Sequence, residues 1–164
     1  MSETVHSNPA GREVLRHTVA TLAYRGGKVL RDAPASFAEF HAASEVRTPG
    51  EILAHLGDLL DWALSMAIGE RKWHASTPAA WEDDVARFFA ALQKFDDFLA
   101  NNEPLQGPVE RLFQGPVADA LTHVGQIAML RRMAGVPVKS ENYYAAEITA
   151  GRVGADQAKP KREF

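Results

Sequence analysis

Residues 115–135 read GPVADALTHVGQIAMLRRMAG and predict one long helix. Pro116 suits the first helical turn because its missing N–H needs no partner there, and Gly135 followed by Pro137 supplies a stop. Between these marks the apolar residues recur at helical spacing, so one face of the helix should be buried. They are Val117, Ala120, Leu121, Val124, Ile127, Leu130 and Ala134.

Two groups that can bind a cation lie on this helix. Asp119 and His123 are four residues apart, so their side chains point the same way, one helical turn from each other. Another interpretation needs no metal. A carboxylate in the first turn of a helix interacts favourably with the helix dipole by about 0.3 to 1 kcal/mol. The spacing alone leaves both interpretations open.

Three further helices are predicted, over residues 12–31, from Thr48 onwards, and over residues 79–101. In the first, Gly26 and Gly27 indicate either a bend or the close approach of another backbone, because glycine disfavours a helix interior. The second begins with a capping box, in which a Thr cap is followed by Pro and then by Glu. The third carries a stripe of aromatic residues that is typical of core packing.

Four amphipathic helices without an alternating strand pattern predict an all-α four-helix bundle. We expect a single domain over residues 1–150, with a short C-terminal helix over 141–148, and a polar, flexible tail over 151–164. The connection over residues 32–47 is long enough for a crossover between helices that are not neighbours. It holds Phe37 within a short apolar cluster that suits one helical turn.

The composition limits the classes of function. With 164 residues, 46% hydrophobic and 24% charged, the chain has the composition of an ordinary globular domain. A net charge of −3 gives no general attraction to nucleic acid or to an anionic membrane. The chain has no cysteine, so any thiol must come with the substrate. No signal-peptide run or membrane-length apolar stretch is present, and we expect a cytoplasmic protein.

His55 lies within the apolar stripe of the second helix, which favours a hydrogen-bonded core residue when that helix is considered alone. Asp58 either orients His55 or faces water, and the spacing favours water. If the second and fourth helices face one another, His55, Asp119 and His123 converge on one ion, about 2.0 to 2.2 Å from each donor. Three ligands leave a position open for water or substrate. Zinc, nickel and non-haem iron suit such a set.

The residues around these ligands resemble the DinB/YfiT-like family. Residues 119–132, DALTHVGQIAMLRR, resemble its last bundle helix, where His-x-x-x-His is followed by Arg-Gly-Gln. Residues 48–56, TPGEILAHL, resemble its second helix, which carries the first histidine ligand. The likeness spans residues 12–138. Asp119 stands where the family has its middle histidine, and Val124 stands where arginine is usual.

The resemblance implies a commonly dimeric bundle that binds a divalent metal, here through His55, Asp119 and His123. Zinc or nickel is the expected ion, with iron as a further candidate. Family members include hydrolases and S-transferases that use low-molecular-weight thiols such as bacillithiol or mycothiol. The ion favours the thiolate of an incoming thiol, or lowers the pKa of water toward about 7. Asp58 and Gln126 are candidates for supporting the ligands.

These features predict a homodimeric metalloenzyme acting on a small molecule, with no nucleic-acid or membrane partner. A different hypothesis is a non-catalytic bundle that works by dimerisation or partner binding, in which the three polar residues serve packing and no functional metal site exists. An intermediate hypothesis is metal binding without turnover. The residues alone do not separate these three.

Overall fold

The computed structural model describes residues 8–164, and within them the chain forms the predicted all-α four-helix bundle. The expectation that the N-terminus carries no signal-peptide run concerns mainly residues 1–7, which lie outside the described part. The long helices are α1 (Pro9–Leu30), α2 (Pro49–Ala67), α3 (Trp81–Ala100) and α5 (Ala118–Met133). A short helix α4 (Val109–Leu112) precedes α5, and a 3-10 turn (Ala35–Glu39) carries the buried Phe37. None of the described helices has both the length and the apolar character needed to span a membrane.

The capping box at the start of α2 is confirmed. The Thr48 hydroxyl accepts a hydrogen bond from the Glu51 backbone N–H at 3.2 Å, and the Glu51 carboxylate accepts one from the Thr48 N–H at 2.7 Å. These bonds pair two N–H groups that the helix itself leaves free. They therefore fix the residue at which α2 begins and, with it, the direction in which His55 points one to two turns later.

The packing order of the helices brings α2 against α5. Each of α2 and α1 packs on both α3 and α5, so α1 and α2 lie diagonally across the bundle. The connection from α1 to α2 is therefore the crossover that its length predicts. Because α2 and α5 are neighbours, the condition for His55 to meet Asp119 and His123 is fulfilled.

Side chains from all four long helices fill the core. The aromatic stripe of α3 contributes Phe88 and Phe95, each with 0% of its surface exposed. Helix α1 continues through Gly26 and Gly27 without interruption. A Cβ atom at Gly26 would lie 2.7 Å from the Phe88 ring. The close neighbour of Gly26 is thus a side chain, not the backbone that was one of the two predicted alternatives.

Pro116 lies inside a helical segment instead of at its start. The backbone is helical from Val109 to Met133, and residues 113–117 form a π turn in which the Ala118 N–H reaches back to the Phe113 carbonyl. Proline lacks the N–H of a regular turn and its ring clashes with the carbonyl four residues earlier, and a wider turn relieves both problems. Asp119 lies in the first turn of α5, as expected, but helical backbone precedes that turn, so the start of α5 is not a free helix end.

The segment after α5 returns to α1. Residues 141–148, for which a short helix is predicted, form overlapping turns in which Ala145 N–H bonds to Asn142 and Ala146 N–H to Tyr143. The buried Glu141 accepts hydrogen bonds from Tyr24 and Lys28 of α1, which holds this segment on the bundle. Residues 151–164, for which a flexible tail is predicted, pack against the rest of the chain. Val153 is 1% exposed, and the last N–H bonds to the Ser140 carbonyl.

Candidate metal centre

Facing turns of α2 and α5 bring His55, Asp119 and His123 together. One potential ligand atom from each residue lies within 4.8 Å of those of the other two. Nε2 of His55 is 3.8 Å from one carboxylate oxygen of Asp119, and Nε2 of His123 is 3.5 Å from the other. The two imidazole rings meet edge to face with their centroids 4.8 Å apart. The three residues singled out from the sequence are thus neighbours in the fold.

The two nitrogen–oxygen separations are longer than direct hydrogen bonds and close to the spacing of two ligands on one ion. Hydrogen bonds between nitrogen and oxygen span about 2.7 to 3.2 Å, and both nitrogen–oxygen separations here are longer. Two ligands on one tetrahedral ion, each about 2.1 Å from it, are about 3.4 Å apart. Two imidazole nitrogens and a carboxylate oxygen are also donors that zinc, nickel and iron accept. The donor set therefore suits a divalent cation.

A neutral imidazole has one nitrogen lone pair with which it can bind an ion. Burial lowers the pKa of His55 below its ordinary value of 6.5, and its neighbours His123 and Arg47 lower it further, so His55 is neutral near pH 7. Nδ1 of His123 lies 2.7 Å from the amide oxygen of Gln126. An amide oxygen only accepts, so Nδ1 carries the proton and Nε2 is free to bind an ion. Gln126 therefore has the supporting position expected of it.

Asp58 neither orients His55 nor faces water, which were the two roles expected of it. It is 3% exposed, and its carboxylate accepts hydrogen bonds from the backbone and hydroxyl of Ser76 and from Arg87, at 2.7 to 2.9 Å. Burial raises the pKa of Asp58, but these bonds outweigh the effect and hold it below its usual value. A buried carboxylate needs such partners. Asp58 therefore anchors the segment between α2 and α3, and does not face water or bond to His55.

The segment between α2 and α3 adds an aromatic wall that the sequence analysis missed. The ring of Trp73 meets the ring of His55 edge to face at 5.7 Å and that of Trp62 at 5.8 Å. Trp73 is half exposed, so it covers one side of His55 while remaining in contact with solvent. Residues 68–80 have no helical period that would place them. In the sequence, the only indication that Trp73 contacts the site is that a large aromatic residue occurs in an otherwise polar stretch.

A pocket of about 560 Å³ has one of the three residues, His123, in its wall. His123 and Gln126 belong to its wall, so the pocket and the candidate metal centre share residues. Arg47, the residue just before the cap of α2, is its one formally charged lining residue. From the sequence, Arg47 belongs to the predicted connection over residues 32–47. The one sequence feature that could have identified Arg47 is its position next to the capping box of the helix that carries His55.

Comparison of the chain with protein-family models, with curated proteins and with solved structures gives no match. The likeness to the DinB/YfiT-like family therefore stays a prediction made from residues 48–56 and 119–132. The geometry of the site carries the functional inference.

Proposed function

We propose that this protein binds one divalent metal ion through His55, Asp119 and His123 and is a metal-dependent enzyme of the DinB/YfiT-like type. The observation that supports this proposal is the meeting of three donor atoms from two helices within 4.8 Å of one another, with nitrogen–oxygen separations of 3.8 and 3.5 Å at Asp119. Zinc or nickel is the expected ion, with iron as a further candidate.

A bound ion would act as a Lewis acid and lower the pKa of a water molecule or of a low-molecular-weight thiol. The reaction class is accordingly hydrolysis or thiol S-transfer. The neighbouring residues of the chain have separate roles. Gln126 holds His123 in the tautomer that binds metal, and Trp73 shields one side of His55 from water.

The site is open on the side of Asp119. The Asp119 side chain is 49% exposed, compared with 20% for His55 and 12% for His123. Three protein ligands leave at least one coordination position for water or substrate. An open side with an incomplete ligand set is typical of catalytic metal sites, whereas structural sites have all their positions filled by protein.

Metal analysis of protein purified without an affinity tag tests the proposal. We expect close to one divalent ion per chain by mass spectrometry, or uptake of one equivalent of Zn²⁺ or Ni²⁺ by calorimetric titration. His55→Ala and His123→Ala should each lose the ion. His17→Ala is the matched control, because His17 is exposed on α1. A wild-type protein that takes up neither metal would overturn the proposal.

A second candidate is a bundle that acts through association, as a homodimer or with another protein. Val46, Met129 and Met133 favour it, because they are large apolar side chains between 43% and 55% exposed. Under this hypothesis, alanine at His55 or His123 alters thermal stability without changing metal content. The mass of the protein in solution, measured by light scattering, tests for the homodimer.

A further inference from the structure

We propose that the 560 Å³ pocket binds a small molecule with an apolar body and an anionic group, with the anion paired to Arg47 and the other end directed at the ion. This inference rests on the proposed metal centre and names the class of its substrate. The reacting group would lie at the end of the molecule opposite the anion. Size, wall chemistry and charge each contribute to the argument.

The pocket has the size and the lining of a ligand site. Ligand pockets typically enclose about 300 to 1,000 Å³ and are mostly apolar with a few polar groups. Here Ile52 and Leu130 form a buried part of the wall, and Met129 and Met133 form a more exposed part. Methionine side chains are unbranched and polarisable, so they adapt to differently shaped apolar groups. The wall thus favours an apolar body over a fully polar metabolite.

Arg47 supplies the charge complementarity. Three arginines, Arg16, Arg87 and Arg152, have carboxylate partners in the described part of the chain. No carboxylate lies within 4.0 Å of Arg47 in the part of the chain that the structure describes. The planar guanidinium binds carboxylate, sulfonate or phosphate oxygens through paired hydrogen bonds. Arg47 is therefore free to recognise an anionic group.

The residues that the pocket shares with the candidate metal centre define the proposed orientation of the bound molecule. His123 is both a proposed metal ligand and a lining residue of the pocket, and Gln126 lies beside it. An occupant that contacts both His123 and Arg47 would have one end at the proposed ion and the other end near residues 42–47.

Binding of two matched probes to the full-length protein tests the inference. The probes are 1-hexanesulfonate and 1-hexanol, which have the same alkyl chain, and sulfonate is a poor ligand for metal ions. With Ni²⁺ present, we expect calorimetry to show tighter binding of hexanesulfonate. Arg47→Ala should weaken hexanesulfonate binding about tenfold and leave both hexanol binding and Ni²⁺ stoichiometry unchanged. Arg111→Ala, at an exposed arginine of α4 outside the pocket, is the control.

The outcomes separate this inference from the proposed function. If Ni²⁺ binds but both probes bind equally, or Arg47→Ala binds hexanesulfonate as the wild type does, the pocket inference alone is overturned. If no metal binds, the proposed function fails, whatever the probes do. If neither probe binds and Met133→Asp converts a dimer to a monomer, the pocket is an interface with a second copy and the inference is wrong.

Discussion

Nδ1 of His123 lies 2.7 Å from the amide oxygen of Gln126, three residues further along α5. This contact determines which nitrogen of the imidazole faces Asp119. It also connects the candidate metal centre to the pocket, because both residues line that pocket. Gln126 can therefore affect the metal site without touching the ion.

Gln126→Leu should weaken Ni²⁺ or Zn²⁺ binding by about 10- to 100-fold, because His123 loses the acceptor that fixes its tautomer. Gln126→Glu should retain tight binding, since a carboxylate is an equally good acceptor for Nδ1–H. Competition with a chelator of known affinity measures the change. Gln93→Leu is the control, because Gln93 makes a similar helical contact with Asp97 on the exposed side of α3. Equal affinities for Gln126→Leu and the wild type would contradict the assigned role.

The aromatic wall predicts a fluorescence signal for metal binding. Trp73 meets His55 directly, whereas Trp81 packs against Phe37 at the start of α3. Ni²⁺ quenches indole emission at short range, so titration should reduce the fluorescence until one equivalent is bound. Trp73→Phe should reduce the quenched fraction. Trp81→Phe should increase that fraction, because it removes an indole outside the metal site. Unchanged quenching in Trp73→Phe would place the ion elsewhere.

The two carboxylates that bind Arg87 should contribute unequally to stability. Asp58→Asn should lower the free energy of unfolding by about 1 to 3 kcal/mol at pH 7, because the carboxylate is buried among its donors. Asp61→Asn should cost about 0 to 1 kcal/mol, because the Asp61 side chain is 53% exposed and solvent screens its ion pair with Arg87. Urea unfolding of both variants measures the difference.

The Asp58 contribution should depend on pH in a defined direction. Its folded-state pKa lies below the ordinary value of 3.8, so folding favours the ionised carboxylate. The contribution is fully present above pH 3.8 and is lost as pH falls through the lower, folded-state pKa. The stability gap between wild type and Asp58→Asn should therefore be widest near neutral pH and narrow in acid. A gap that widens in acid would contradict the ionised anchor.

Two adjacent glycines of α1 should respond in opposite ways to alanine. A Cβ at Gly26 would lie 2.7 Å from the Phe88 ring, whereas at Gly27 the nearest atom would be 3.5 Å away. Gly26→Ala should destabilise the protein by about 1 to 3 kcal/mol through overpacking. Gly27→Ala should stabilise it by up to about 1 kcal/mol, since alanine favours helix and the space is sufficient. Thermal unfolding of both variants tests the contrast.

Much of the bundle could be predicted from the sequence because local signals agree with one another. The capping box at Thr48 fixes the start of α2, and helical periodicity then places His55 on the face that meets α5. The spacing of Asp119 and His123 directs both side chains to the same side. These features depend on residues close together in the sequence. The structure confirms the start of α2 and the proximity of His55, Asp119 and His123.

Other features depend on contacts between distant segments. Asp58 is buried because residues 68–80 fold back over it. Ser76 of that segment and Arg87 of α3 donate hydrogen bonds to its carboxylate. No local sequence pattern predicts either partner. Trp73 reaches His55 for the same reason. Pro116 was misplaced because its two tolerated positions, the first turn of a helix and a widened turn within one, look alike in sequence.

The π turn before α5 makes the donors sensitive to chain length. An α-helix advances about 100° around its axis with each residue, so one residue more or fewer changes the relative angle of everything on either side. Deleting one residue from 113–117 would leave the apolar composition almost unchanged. However, the deletion would rotate α5 by about 100° relative to α4. If α4 kept its packing, the side chains of Asp119 and His123 would point in a different direction. A single in-frame codon loss at this point would thus abolish the proposed ion binding although all three candidate ligands are still present.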